Sequence, residues 1–457
     1  MTTPQSALTA RSDKELFRIL IKLAVPIMLA NMLQTMYNLA DAFFLGRIGR
    51  EAVSAPSISF TLIWFTVVFG MGMTIAGTTL ISQSKGKGDQ EKIDFYLGQM
   101  TVFLLFLSFV IMAVGLIFAR PLLALLQVPA DAYDLTYQYM TIIFAGMPFM
   151  FMSFVLQSAM QGLGDSVTPL LIKLGSVVFN IALDPILIFG LFGFPRLEVA
   201  GAAIATVIAQ ALASLAAVVI IVRGKRGMKL RVKNLCPDWS AIKRILQIGL
   251  PASIGQGFSA FGFTVLQGVV NGFGTAVIAA FGIGNRIIGL FNMPGIGFAR
   301  ATATLVGQSI GGKRPDLAKK VVRQSVITMS IFISISMTFT FFWGNSFMRF
   351  FVDDPEVIAH GALMFRIVSA SVVLFTLFTV VMGAFEGGGD TKPVMFLNVF
   401  RLWGLRVPVA FGLAIVIGMG PVGIWIAMFV SNFVTAGIGF VVLSRGHWLT
   451  KMNPDEL

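Results

Sequence analysis

The chain alternates between long apolar blocks and short polar connections. A helix that crosses a bilayer needs roughly 20 mainly apolar residues, and twelve blocks reach that length. Several blocks are longer than the bilayer is thick, so tilted or kinked helices are expected. The pattern predicts an all-α polytopic membrane protein with twelve transmembrane helices. The predicted helices span residues 16–44, 52–84, 92–119, 133–161, 166–192, 198–223, 240–269, 276–308, 316–343, 357–385, 390–416 and 420–444.

The twelve blocks form two copies of one pattern. At a constant shift of 225 residues, similar residues coincide: Pro26 with Pro251, Gln99 with Gln324, and the polar turn 161–165 with 386–390. An offset that holds across several helices and loops indicates an internal duplication. Each copy has six helices, and an even number gives both copies the same orientation in the membrane. The sequence therefore predicts two six-helix bundles related by a pseudo-twofold axis along the membrane normal.

One long charged connection separates the two copies. We therefore assign residues 1–223 to an N-terminal bundle, 224–239 to a cytoplasmic linker and 240–457 to a C-terminal bundle. Basic residues are scarce in the odd-numbered loops, which contain Arg47, Arg50, Arg120, Arg196 and Arg349. Basic loops stay on the cytoplasmic side of a membrane. Both termini are therefore predicted to be cytoplasmic, in a multi-pass protein of the cell inner membrane.

Composition narrows the class of protein further. Hydrophobic residues make up 56% of the chain and charged residues 12%, with a mean hydropathy of +0.85, whereas a soluble domain is about 25% charged. A soluble enzyme is thereby excluded. The net charge of +13 follows from the basic cytoplasmic loops, so nucleic acid is not an expected partner. One cysteine and two histidines do not suggest a disulfide or a metal site. No ATP-binding loop occurs, and no cofactor is expected.

Two of the 21 acidic residues lie well inside predicted helices, namely Asp41 in helix 1 and Asp184 in helix 5. A charge at the centre of a spanning helix costs about 2.5–3.5 kcal/mol on insertion scales, so such residues are usually functional. Both helices run in the same direction, and each acid comes late in its helix. We therefore expect the two carboxyl groups to share a cavity within the N-terminal bundle. Their alternative role is structural, as partners of a base such as Lys173.

The residues around these acids suit the transfer of a small cation. Two neighbouring carboxyl groups can gain and lose a proton together, and amide or phenol groups can hydrogen-bond to either protonation state. The supporting candidates are Tyr37, Asn38, Asn180, Gln34 and Gln157. Hydrogen bonding between helices is the alternative role for the glutamines. The same oxygens could bind Na⁺ at Asp41 and Asp184, and the residues alone do not decide between the two ions.

The C-terminal copy lacks such acids and has arginines instead. Arg286, Arg366, Arg401 and Arg406 lie inside its predicted helices, with Arg406 nearest the middle of the membrane. They either extend toward the membrane surface or face a central cavity, and their role stays open. Flexible methionines and aromatic rings suit apolar cations. The substrate-cavity candidates are Met71, Met73, Met150, Phe154 and Arg406.

The ordered set of these motifs resembles the multidrug and toxic compound extrusion (MATE) transporters over essentially the whole chain. The residues that carry the resemblance are Asp41-x-x-x-x-Gly46-Arg47-x-Gly49, Gln161-Gly-x-Gly-Asp-Ser-x-x-Pro169, Glu386-Gly-Gly-Gly-Asp390, Asn285-Arg286, and an early proline in each copy. Tyr37-Asn38-x-x-Asp41 with Asn180 and Asp184 is most similar to the DinF-like branch.

The resemblance implies cation-coupled antiport with Asp41 and Asp184 in the coupling site. It also implies that helix 1 bends near a hinge at Pro26 when the aspartate changes charge. Some members of the branch have Asn on helix 4 and Thr on helix 6, where this chain has Gln157 and Ala202.

These residues and the resemblance together predict a secondary active antiporter. Two bundles would give alternating access, and small amphipathic or cationic organic compounds such as drugs would leave in exchange for H⁺. The protein is expected to act as a monomer in the lipid bilayer. Export coupled to Na⁺ is one alternative, and flipping of a lipid-linked or anionic substrate by the C-terminal arginines is another. A receptor or scaffold without transport is the third.

Overall fold

The computed structural model describes residues 6–10, 12–224 and 226–451 of the 457-residue chain. Twelve long helices dominate these residues, and no β-strand occurs among them. The predicted all-α fold with twelve helices is thereby confirmed. The helices are α1 (Asp13–Gly46), α2 (Arg50–Lys87), α3 (Gln90–Ile117), α4 (Ala130–Ala145 and Met147–Leu163), α5 (Val167–Phe189), α6 (Glu198–Arg223), α7 (Trp239–Asn271), α8 (Thr275–Gly311), α9 (Pro315–Arg349), α10 (Pro355–Gly387), α11 (Thr391–Val416) and α12 (Pro421–Ser444).

Most of these helices can cross a membrane. By length and composition, ten spans are found in the described part of the chain, and α4 gives an eleventh if its two parts, bent by 46°, count as one. α7 is not among them, although its 33 residues exceed the necessary length. Glutamine, serine and glycine interrupt its apolar sequence and lower its hydropathy. It remains the first helix of the second repeat, at the place that the sequence predicted.

The 225-residue repeat is also visible in the backbone. Left-handed φ angles occur in pairs at that offset, at Gly88 (76°) and Lys313 (55°), Gly164 (84°) and Gly389 (76°), and Gly193 (88°) and Gly418 (79°). Glycine adopts such angles at little steric cost, which explains five of the six residues. The same turns thus recur at the same places in both copies, as expected for two six-helix repeats.

The internal contacts of the structure define two compact units whose limits differ from those of the repeats. The first unit contains Leu29–Leu250, and the second contains the part of α1 up to Met28 and the residues from Pro251 onward. The chain passes from the second unit to the first after Met28, two residues after Pro26, and returns to the second unit at Pro251. These two prolines are related by the repeat. The early part of α1 is buried in an apolar core with α8, α9 and α10. The sequence-based boundaries at the 224–239 linker remain a prediction.

A buried glutamine on α3 anchors the segment that leads into α7. Gln99 Nε2 donates to the carbonyl oxygens of Asn234 (2.9 Å) and Cys236 (2.8 Å), and its Oε1 accepts from the backbone N–H of Asp238 at 2.8 Å. The repeat-related Gln324 Nε2 donates to the carbonyl oxygen of Asp13 at 2.8 Å. Gln99 therefore fixes the start of α7, and Gln324 fixes the start of α1. Each of these helices begins in the same unit as its glutamine and continues into the other unit.

We expect Gln99→Leu to destabilise the first unit. Three backbone groups would lose their partner, and a buried polar group left unpaired costs about 1–3 kcal/mol. The midpoint of thermal unfolding of the purified protein in detergent should therefore fall. Gln138→Leu is the matched control, because Gln138 is exposed on α4. An equal fall in both variants would contradict the anchoring role of Gln99.

Candidate ion-coupling site

The two aspartates predicted from the sequence lie side by side in the first unit. Asp41 is on α1 and Asp184 on α5, and their carboxyl groups contact each other directly. Asp184 is fully buried, and its Oδ1 accepts a hydrogen bond of 3.2 Å from Nδ2 of Asn180, one turn earlier. Asp41 is half-buried. The fold thus brings together two acids that are 143 positions apart in the chain.

Several buried oxygen atoms at this carboxyl pair lack a hydrogen-bond partner of good geometry within the described ranges. The atoms are Tyr37 Oη, Asp41 Oδ1, Asn180 Oδ1, Asp184 Oδ2 and Thr206 Oγ1. Buried polar atoms are nearly always hydrogen-bonded in folded proteins, so an unpaired cluster needs an explanation such as a bound proton, water or ion. No group of three or more His, Cys, Asp and Glu side chains that could hold a metal ion occurs among the described residues. The oxygen atoms of the cluster can hold a proton or a small cation.

A lysine lies next to the carboxyl pair. Lys173 on α5 interacts electrostatically with Asp41, and its Nζ lies 5.3 Å from the centroid of the Tyr37 ring. That distance is typical of a cation–π contact. In the part of the chain that the structure describes, Lys173 forms no ion pair with either aspartate. With both carboxylates and the lysine ionised, the cluster has one excess negative charge, which one proton or one cation would neutralise.

The other supporting candidates are divided between the cluster and an exposed face of α1. Tyr37 and Asn180 are buried at the carboxyl pair. Gln34 and Asn38 are exposed and form their own pair, in which Gln34 Nε2 donates to Asn38 Oδ1 at 3.1 Å. Gln157 on α4 is half-buried, and no hydrogen bond links it to the cluster within the described residues. The structure therefore brings two of the five candidates to the carboxyls.

Two residues of the cluster were missed by the sequence reasoning. Thr206 on α6 lies beside both Asp41 and Tyr37, and Tyr139 on α4 lies within electrostatic range of both aspartates. Thr206 comes one helical turn after Ala202, the position where the resemblance implied a threonine. A polar residue one turn from an expected position projects on nearly the same face of a helix. That spacing was the available signal for Thr206.

The hinge and cavity candidates occupy different environments. Pro26 is buried inside the continuous helix α1. Met73 is 1% exposed, so it is part of the packed interior of its unit. The side chains of Met71, Met150 and Phe154 are half-buried, which leaves part of each able to contact another molecule. Their assignment to a substrate cavity stays a prediction.

The four arginines of the second repeat fall into two classes. Arg286 and Arg366 are exposed. This agrees with side chains that extend toward the membrane surface. Arg401 and Arg406 are 5% and 2% exposed. Arg401 and Arg406 therefore both lie inside the second unit.

A family model and many known proteins match this chain. The MatE family model matches it twice, at residues 26–186 and 251–411, which differ by the repeat offset of 225. The probable multidrug resistance protein YoeA of Bacillus subtilis (strain 168) is 30% identical over 434 residues, which cover 93% of each chain. The probable multidrug resistance protein NorM of Thermotoga maritima is 28% identical over 450 residues, which cover 97% of this chain and 96% of that protein.

The fold is also similar to that of solved structures. A crystal structure of a MATE protein in the bent conformation superposes with a TM-score of 0.91, covering 98% of this chain and 99% of the other. The two sequences are 23% identical, so this likeness concerns the fold. Similarity over nearly the full length agrees with the twelve helices and two repeats described above.

Proposed function

Since this chain belongs to the MATE family of membrane transporters, we propose that it exports amphipathic, often cationic, organic compounds in exchange for protons. The names of its relatives, probable multidrug resistance proteins, support small organic substrates. Transporters of this class carry out no chemical conversion, so the function depends on coupling and on binding. We place the chain in the DinF-like branch because of Tyr37, Asn38 and Asp41 on α1, together with Asn180 and Asp184 on α5.

The observation that carries the proposal is the direct contact between the carboxyl groups of Asp41 and Asp184. Two ionised carboxylates in direct contact repel each other, and a shared proton removes the repulsion. Na⁺ is larger and would have to separate the two groups. Tyr37 and Thr206 place further hydroxyl oxygens at the pair. These features favour a proton as the coupling ion.

The hinge proposal rests on how α1 is divided between the two units. The helix belongs to the second unit up to Met28 and to the first unit from Leu29 onward. A proline inside a helix removes one backbone hydrogen bond and favours bending at that point. Pro26 is therefore well placed for α1 to bend when Asp41 gains or loses a proton. In this proposal the bend changes the side of the membrane to which the substrate cavity opens.

We further propose that the protein lies in the cytoplasmic (inner) membrane with both termini in the cytoplasm. The support is the scarcity of Lys and Arg in the odd-numbered loops, compared with the basic linker and tails. Cysteine labelling of two proteins would test this orientation: the unmodified chain, whose single cysteine Cys236 is exposed in the linker, and a Cys236→Ser variant with one cysteine introduced into the loop after α1. Only the loop cysteine should react with an impermeant reagent added to intact cells.

The direct test of function is uptake of ethidium into liposomes that contain the purified protein. A lumen more acidic than the outside should drive ethidium inward as protons leave. A sodium gradient of the same direction, at equal pH on both sides, should drive no uptake. A protonophore should abolish the accumulation, because it removes the proton gradient without touching the protein.

Each outcome of this experiment is decisive for the coupling ion. Uptake that follows the sodium gradient and ignores the pH gradient would contradict proton coupling and favour the Na⁺ alternative. Uptake that follows neither gradient would contradict antiport of this cation. Empty liposomes measured under the same gradients correct for ethidium that crosses the lipid unaided.

A further inference from the structure

Two buried arginines on α11 lie on one face because the helix is locally widened. Residues Phe400–Arg406 form a π-helical turn, in which backbone hydrogen bonds join residues five positions apart. Arg401 and Arg406 are five positions apart and both lie within that turn. In a regular α-helix, neighbours on one face are three or four positions apart. The π-helical turn therefore puts two guanidinium groups on one face of α11, within electrostatic range of each other.

The partners of these arginines are neutral. Arg406 Nε donates to Ser431 Oγ at 2.9 Å, and Arg406 Nη2 donates to Asn432 Oδ1 at 2.5 Å. The guanidinium of Arg401 lies over the Phe375 ring, 4.5 Å from its centroid. Its Nε is buried and makes no hydrogen bond within the described residues. A guanidinium has five N–H donors, so both side chains keep donors available.

No carboxylate compensates these two charges in the part of the chain that the structure describes. A buried charge is unfavourable unless an opposite charge or strong hydrogen bonds accompany it. Two like charges on adjacent turns increase that cost. Arginine in such a setting is suited to planar, bidentate recognition of carboxylate or phosphate.

We propose that Arg401 and Arg406 form a binding site for the carboxylate or phosphate group of an anionic amphipathic compound. Ser431 and Asn432 hold Arg406 in place, and the buried Nε of Arg401, in the same π-helical turn, has no hydrogen-bond partner within the described residues. This site lies in the second unit, whereas the carboxyl pair lies in the first. The protein would therefore accept organic anions or zwitterions in addition to the cations proposed above. The bound group belongs either to a free organic anion or to the headgroup of an anionic lipid.

The test is equilibrium binding of fluorescein, a carboxylate, to the full-length protein in phosphatidylcholine nanodiscs. Fluorescence anisotropy should show saturable binding to the unmodified protein. Arg401→Gln should weaken it at least about tenfold, as loss of a charge-assisted contact predicts. Arg401→Lys keeps the charge and should weaken it less. Arg366→Gln is the matched control, since it removes an exposed arginine of the same repeat, and it should bind fluorescein normally.

Asn432→Asp tests the site without removing an arginine. It places a carboxylate at the atom that already accepts from Arg406, so an internal anion would compete with fluorescein and weaken its binding. Gel filtration verifies that each variant is folded and monodisperse. Nanodiscs that also contain phosphatidylglycerol distinguish the two sources of the anion. If that lipid displaces fluorescein, the natural ligand is a lipid headgroup, and if it does not, the ligand is a free anion.

Two results would overturn the proposal. One is the absence of saturable fluorescein binding to the unmodified protein in phosphatidylcholine. The other is equal binding by the unmodified protein, Arg401→Gln and Asn432→Asp. The assay uses no ion gradient, so its result does not depend on whether the protein exchanges substrate for protons.

Discussion

Replacing Asp41 by Asn should abolish ethidium uptake driven by a pH gradient while leaving the protein folded. Asn has the shape of Asp but cannot take up and release a proton, so the carboxyl pair loses the change of charge that couples transport. One-for-one exchange supports about a tenfold substrate gradient for each tenfold ratio in proton activity, or about 1.4 kcal/mol. In Asp41→Asn that gradient should fall to the level of empty liposomes. The measurement is the final ratio of ethidium inside and outside the liposomes.

Asp134→Asn is the matched control for this substitution. Asp134 is exposed on α4, so its replacement changes the same charge without touching the carboxyl pair and should leave the ratio unchanged. Equal thermal unfolding midpoints of the unmodified protein and Asp41→Asn would show that the loss is not caused by misfolding. Full uptake by Asp41→Asn would contradict its assignment to the coupling site.

The helices, the repeat and the two aspartates could be predicted from the sequence because the bilayer acts on them directly. A lipid environment requires long apolar segments whose backbone is hydrogen-bonded internally. The twelve helices can therefore be recognised in the sequence as long apolar blocks. It also makes a charge inside a helix costly, so Asp41 and Asp184 stand out against apolar neighbours. Their juxtaposition followed from equal direction and similar depth in α1 and α5.

Features that depend on neighbouring helices could not be predicted in the same way. Thr206 resembles any other small polar residue of a helix until Asp41 and Tyr37 are placed beside it. The pairing of Arg401 with Arg406 depends on a π-helical turn, and an α-helical periodicity puts them on different faces. The passage of α1 from one unit to the other near Pro26 is likewise a property of packing, since both parts of the helix are similarly apolar.

The position of the second carboxyl group should matter as much as its presence. We expect Asp184→Asn to reduce proton-driven ethidium uptake at least about tenfold, since Asp41 alone has no partner with which to share a proton. Its thermal unfolding midpoint should equal or exceed that of the unmodified protein, because Asp184 is fully buried and a neutral amide is easier to bury than a carboxylate. Loss of transport combined with undiminished stability identifies a residue kept for function rather than for folding.

The double variant Asn180→Asp and Asp184→Asn provides the sharpest comparison. It has the same composition and charge as the unmodified protein, but the carboxyl group moves four residues, about 6 Å, along α5. Direct contact with Asp41 would then be lost, and uptake should stay as low as in Asp184→Asn. If the double variant instead transports ethidium normally, only the number of acids in this region matters. Coupling would then not depend on the contact between Asp41 and Asp184.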